Sequence, residues 1–456
     1  MMSFLKTVAN RIGFDGAIAY SSFARITQAA ASFIVLFFIA SLLSPEEQGY
    51  YYTFGSLAGI QVFFELGFTG IMTQYVAHEV AHLKLLPNNE YEGEEKYISR
   101  LAYLMRFCLK WYLVITVLFL VVVIIVGLVF FEKNDTSEGY VDWIWPWILM
   151  SFATAVKLFQ SPFNAILIGL GKVTEMNKVL FYQQLFAPAS LILSLFMGLK
   201  LYSVGISIIV GAIVWFTYVF CTPLLKLVYK LWRHHISEKV SYMKEIFPYQ
   251  WKIALSWISG YFIFQLFNPV LFATDGAVVA GQMGMTISVL TGVQSLSLSW
   301  QNTKIPRYSG LIEMKQFKEL DRLFNLTTKQ MTVVSLFINM LLIGFIIIVN
   351  KYNIVFWGID FSNRFLSISM FCIMALAIFL NQIIYSWATY LRCHKQEPYL
   401  VLSVVEGLLC LISTFFFGKM FGLVGIVLGY ITIIVFQTLW AFYIFNKKKN
   451  EWHGCL

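Results

Sequence analysis

The hydrophobic pattern resolves into long apolar runs separated by short polar segments. Twelve runs, near 17–43, 49–76, 106–131, 142–169, 178–199, 202–224, 251–273, 277–303, 330–350, 365–391, 398–418 and 421–445, approach the ~20 apolar residues that one helix needs to cross a bilayer. Strand-type alternation is absent, and hydrocarbon admits only helices or closed barrels, so the pattern predicts an all-α polytopic membrane protein with twelve transmembrane helices. A tight polar turn, Ser44-Pro45-Glu46-Glu47-Gln48-Gly49, joins the first two runs, which carry mid-run charges at Arg25 and Glu65. Such a charge costs roughly 2.5 to 3.5 kcal/mol on insertion scales and is read first as functional.

Composition agrees with this reading, since 12% charged residues is about half the usual share of a soluble domain. The net charge of +9 alone would suit nucleic acid, but its distribution does not. With both termini cytoplasmic, 26 of the 33 Lys and Arg fall on the cytoplasmic side, and only Lys133, Lys200, Lys351, Arg364 and Lys419 fall on the other. That asymmetry is the positive-inside pattern of an even number of crossings, with no nucleic-acid partner implied. The longest polar segments, near 77–105, 226–250 and 304–329, are too short for a catalytic domain. The six cysteines show no CxxC spacing, and no nucleophile or metal constellation stands out, so neither an enzyme nor a cofactor is expected. The first run is too long for a cleaved signal peptide and reads as an uncleaved span.

The chain also repeats weakly. Leu170-Gly171-Lys172 aligns with Arg392-Cys393-His394, Leu201 to Gly205 with Phe421 to Gly425, and Gln48-Gly49-Tyr50 with Ala280-Gly281-Gln282. An even number of spans separates the matches, so parallel six-helix lobes are expected at 1–225 and 251–446, with a basic linker at 226–250 and a tail at 447–456.

Counting about 1.5 Å per residue from the outer side, Arg25, Glu65 and Lys157 lie at depths of roughly 27, 24 and 22 Å. They therefore share a layer near the midplane. In the fourth run Thr154, Lys157, Ser161 and Asn164 share one helical face with Gln160 beside them, and Pro162 should kink it. The second half offers a polar wall with little charge: Ser288, Thr291, Ser295, Ser299 and Asn302 in one stripe, and Gln382 and Ser386 at the repeat positions of Gln160 and Asn164. Glu406, opposite Gln184 in the repeat, lies near a cytoplasmic end where snorkelling or pairing with a basic loop residue suits it as well as function. A plain Arg25–Glu65 ion pair between the first two spans leaves Lys157 unexplained, whereas a wet, net positive cavity accounts for all three charges. Arg forks onto phosphate oxygens and Lys supplies a mobile point charge, so such a cavity suits an amphiphile with an anionic, sugar-rich head.

The first span ending in LLSPEEQGYY, the second holding Glu65-Leu66-Gly67 and ending Gln74-Tyr75-Val76-Ala77, and the fourth closing in IGLGK together resemble the Wzx-type polysaccharide flippases. These share a superfamily with MATE multidrug exporters and the peptidoglycan precursor flippase. The resemblance implies a MATE-like fold of two six-helix lobes around a central cavity. It also implies transport of an undecaprenyl-pyrophosphate-linked oligosaccharide across the bacterial inner membrane by alternating access coupled to H+ or Na+. On that reading Arg25 and Lys157 hold the pyrophosphate, Gln160 and Asn164 contact the head group, and Glu65 couples the ion or balances Arg25. Membrane lipids are the surroundings, and polysaccharide polymerase machinery is a compatible neighbour. A MATE-like drug or cation antiporter would favour an anionic cavity. A membrane glycosyltransferase or polymerase would need a large catalytic loop.

Overall fold

The apolar runs fold as helices in a computed structural model that describes residues 31–86, 91–135, 141–352, 355–356, 359–361, 363–394 and 396–453. Helix α1, Ala31–Leu42, leads into the polar turn, which is itself a helix start. The Ser44 hydroxyl accepts from the Glu47 N–H at 3.1 Å while the Glu47 carboxylate accepts from the Ser44 N–H at 2.9 Å. This capping box, with Pro45 in the first turn, opens α2, Pro45–Ala58. A 3₁₀ turn at Gly59–Gln61, α3 at Val62–Glu65 and α4 at Phe68–Val80 complete the second run. Between α3 and α4 both Leu66 (φ 49°) and Gly67 (φ 67°) take left-handed conformations, and the helix bends by 43°. A Cβ on Gly67 would sit 2.4 Å from Ile253 Cγ2, so the bend also brings backbone close to a neighbouring helix.

After a β1–β2 hairpin, Leu83–Leu85 with Tyr91–Gly93, the chain runs through α5 (Glu95–Asn134), α6 (Ile144–Gly169), α7 (Val173–Phe196), α8 (Tyr202–Cys221) and the short α9 (Leu224–Arg233). Then come α10 (Phe247–Phe264), α11 (Phe267–Thr274), α12 (Ala277–Asn302), α13 (Ile305–Glu313) and α14 (Phe317–Tyr352). A two-residue β3–β4 ladder at Val355–Phe356 and Ile359–Asp360 precedes α15 (Ile368–Cys393) and α16 (Leu400–His453).

Among the described residues eight helices are long and apolar enough to cross a membrane, or nine if the bent α2–α4 pair is one span. The expected twelve differ from this count at three points. The first run is described only from residue 31, as the short α1. The 26-residue α6 carries the polar stripe, which lowers its hydropathy. Helix α16 counts once although Gly422 (φ 54°, ψ −137°) interrupts it. The third and ninth helices begin at 95 and 317, well before the expected 106 and 330, because their polar entries continue an amphipathic face: Leu101, Leu104 and Met105, like Leu320 and Phe324, are buried. At 1.5 Å per residue the 40-residue α5 is about 60 Å long, twice the hydrocarbon thickness. Its middle is lipid-facing, with Val114, Val117 and Val121 at least half exposed.

Chain contacts divide the described residues into two units, one holding the residues up to Val35, Ile60–Lys133 and Asp142–Trp257, the other Leu36–Gly59, Asn134–Val141 and Ile258 onward. In the first, α6 packs on α4 and α8, and α7 on α8. Its polar end is tied by Arg100, which meets Glu79 at 2.9 Å and Glu245 at 2.7 Å, while the Tyr75 hydroxyl donates to the Glu245 carbonyl. Burial raises the Glu245 pKa, but the hydrogen bonds from Arg100 and the Ser241 N–H outweigh it and hold this carboxyl below its ordinary 4.5. In the second unit α2 packs on α12 almost backbone to backbone. A Cβ on Gly49 would lie 1.9 Å from the Ala277 carbonyl oxygen, and one on Gly281 2.8 Å from the Gly49 nitrogen. The Gln48 amide closes this crossing by donating to Gly281 O (2.9 Å) and Arg364 O (3.2 Å).

Gly49→Leu should therefore destabilise the purified protein by more than the roughly 1–3 kcal/mol typical of overpacking, seen as a strongly lowered thermal midpoint, because rigid backbone blocks the new side chain. Gly55→Ala, where a Cβ meets nothing within 4 Å, should leave it unchanged or slightly higher in the same melt. Leu66→Gly should stabilise by relief of about 1–2 kcal/mol of left-handed strain, less the added chain entropy of glycine, whereas Gly67→Ala should destabilise. Arg100→Gln leaves the buried Glu79 unpaired and should cost about 3 kcal/mol near pH 7. Because the folded Glu245 pKa is depressed, its share of stability is present above pH 4.5 and fades as pH falls through the folded value. Denaturation of both proteins from pH 7 to 3 should show the difference shrinking.

Candidate functional site

Within the first unit a cavity of about 410 Å³ opens between α1, α6, α7 and α8. Its walls explain the space. Gly211, Ala212 and Ala187 are small, and the prolines inside α6 (Pro162) and α7 (Pro188) each remove a backbone donor and disturb the helix one turn earlier. Ser207 donates to Ala187 O at 2.8 Å, a bond that fixes α8 against α7 where Pro188 perturbs it. Two glutamines lie across the gap: Gln160 donates to Ala212 O (3.1 Å) and Gln183 to Gly211 O (2.9 Å), so both amides are oriented by the α8 backbone. Lys157 keeps accessible side-chain surface and lines this cavity. Among the described lining residues it is the charged one.

Glu65 stands at the α3–α4 break, half-buried, and accepts from the Thr69 hydroxyl at 2.5 Å. Lys157 and Glu65 are near enough for each charge to act on the other. Among the described residues no ion pair joins them. Of the three charges expected to share a layer, Glu65 and Lys157 are described and Arg25 lies outside the described residues.

The polar stripe of α6 divides by role. Lys157 and Gln160 face the cavity. Thr154 bonds back to Met150 O at 2.8 Å, Ser161 to Lys157 O at 3.5 Å, and Asn164 accepts from the Trp215 indole at 2.6 Å. Asn164 is not among the lining residues. Gln183, Gln184 and Ser207, by contrast, line the cavity without having stood out as sites in the sequence. The adjacent amide pair four residues before Pro188, within an apolar run, was their available signal.

Polar residues of the second half bond to one another or back to helix carbonyls. Gln301 donates to Thr328 and Ser386 at 2.7 Å each, Ser335 donates to Gln382 at 2.8 Å, and Thr291 bonds back to Ile287 O. Among the described residues Glu406 meets no basic side chain, and it does not snorkel. It is 6% exposed and accepts from the Gln437 amide, because the face of α16 that bears it packs inward against the helix that follows Gly422.

No protein-family model matches the sequence, and no curated protein matches it. Solved structures do match in fold. The MATE multidrug transporter DinF-BH is similar with TM-score 0.62 and 15% identity, covering 95% of this chain and 96% of that one. An inward-facing multidrug resistance MATE family transporter of the MOP superfamily gives 0.57 and 13%, covering 91% and 98%. The lipid II flippase MurJ in an inward closed conformation gives 0.54 and 14%, covering 94% and 86%. At such identities the likeness is one of fold. The chain is an all-α polytopic membrane protein with the MATE-like fold seen in MOP-superfamily transporters.

Proposed function

We propose that this chain is an alternating-access carrier for an amphiphile with an anionic, sugar-bearing head. The substrate we assign is an undecaprenyl-pyrophosphate-linked oligosaccharide, moved across the bacterial inner membrane for surface polysaccharide synthesis. One observation carries the choice: the cavity of the first unit is lined by a cation among amides, Lys157 with Gln160, Gln183 and Gln184. Amides suit sugar hydroxyls, and an ammonium suits phosphate oxygens. In this reading twelve helices cross the membrane as lobes at 1–225 and 251–446, with both termini cytoplasmic. Arg25 joins Lys157 on the pyrophosphate, Gln160 and Asn164 meet the head group, and Glu65 carries H+ or Na+ coupling or balances the cations. A helix broken at membrane depth supports a transport site there, since irregular backbone is tolerated where it is buried in protein or lines water.

A second reading, a drug or cation antiporter, is favoured by the MATE transporters among the fold's neighbours. It would make Glu65 the group that meets the cargo. Proteoliposomes separate the two. With lipid-linked oligosaccharide as cargo and an imposed proton or sodium gradient, Lys157→Ala should lower translocation by about 10- to 100-fold, the worth of one charge-assisted hydrogen bond, and Lys157→Arg should retain a substantial part. Protein amount in the membrane should not change. Gradient-driven export of a cationic dye that survives Lys157→Ala and is lost in Glu65→Gln would establish the antiporter instead.

A further inference from the structure

We propose that α9 is an interfacial helix that binds anionic phospholipid headgroups of the cytoplasmic leaflet through Lys226, Lys230 and Arg233. The chain leaves α8 at Cys221, turns at extended Thr222 and starts α9 at once behind Pro223, whose backbone is already helical, so the helix begins where the span ends. Its ten residues divide into three faces, because successive positions turn by about 100°. Leu224, Leu227 and Leu231 point into the protein at 5% exposure or less. Leu225, Tyr229 and Trp232 form a second face, each more than a third exposed. Lys226, Lys230 and Arg233 form the third, all exposed.

A helix lying on a soluble body needs two such faces, one apolar and one polar. The additional apolar and aromatic face, next to the cationic one, is what a helix in the headgroup region of a bilayer requires. Its surroundings fix that depth. Arg106 lies 6.0 Å over the Trp232 ring and donates to His234 O, which joins α9 to the polar end of α5. There Trp111 is 42% exposed and lies next to exposed Lys110, the aromatic and cationic pairing of a membrane interface. Arg233 lies 4.7 Å over Tyr229, so its guanidinium is carried at the junction of the aromatic and cationic faces. The chemistry that complements this exposed cationic face, beside an exposed apolar and aromatic one, is an acidic headgroup on an acyl anchor.

The test uses the full chain reconstituted in phosphatidylcholine vesicles with trace spin-labelled phosphatidylglycerol or phosphatidylcholine, read by electron spin resonance as relative association with the protein surface. The wild type should prefer phosphatidylglycerol. Replacing Lys226, Lys230 and Arg233 by Gln should reduce that preference on the order of tenfold, since each cation near an anionic surface contributes about fivefold and other basic residues remain. Replacing Lys447, Lys448 and Lys449 by Gln removes the same charge elsewhere and should leave it within about twofold. Equal loss in both triple variants would reduce the effect to net charge and overturn the proposal, as would an unchanged preference in the α9 variant. Lys226→Arg with Lys230→Arg should keep the preference, which guards against misfolding of the neutral variant. Inorganic phosphate at constant ionic strength should not displace the labelled lipid; displacement would make this a site for a soluble anion and refute the lipid assignment.

Discussion

A backbone that must hydrogen-bond inside hydrocarbon is the constraint on which this structure turns, and the second run is where it is broken. At Leu66 and Gly67 two consecutive left-handed residues end one helix and open another, which frees carbonyls before the break and N–H groups after it. Such a break survives in lipid only with polar or aqueous company. Glu65, Thr69 and the charge of Lys157 are that company, so the break and the polar layer explain each other.

Polar side chains in the two units answer different needs. In the second, Gln301, Ser386, Thr328, Ser335 and Gln382 bond to one another across α12, α14 and α15. These bonds specify helix register in a medium that gives apolar faces little reason to choose partners. In the first, Gln160 and Gln183 use one amide donor each on α8 and border a cavity. One residue type thus serves as adhesive in one bundle and as lining in the other, and what separates the roles is the space left by small residues and two internal prolines.

Much of this was legible in the sequence, for physical reasons that differ from residue to residue. Lys157 and Glu65 could be found because charge in an apolar run is costly and therefore conspicuous. Helix existence followed from hydropathy, but the starts of α5 and α14 did not, since their entries continue by amphipathic pattern where hydropathy falls. The capping box at Ser44 was hidden in what read as a loop, although Ser-Pro-Glu-Glu states it locally. Asn164 shares a helical face with Lys157 while its side-chain oxygen accepts from the Trp215 indole, because helical phase fixes direction and the neighbour decides what is met. Gln183, Gln184 and Ser207 stayed hidden because an uncharged polar residue in a membrane helix is ordinary, and only three-dimensional packing distinguishes one that lines a void.

The glycine crossing of α2 and α12 has a mechanical corollary. With Ala277 carbonyl oxygen 1.9 Å from where a Gly49 Cβ would be, no flexible side chain cushions the contact. Sliding α2 by one helical turn, about 5.4 Å, would bring Tyr52 or Thr53 to the place of Gly49 and drive a side chain into the opposing main chain. The pair therefore has no graded series of nearby positions: it is either seated in this one register or fully parted, and it behaves as a detent.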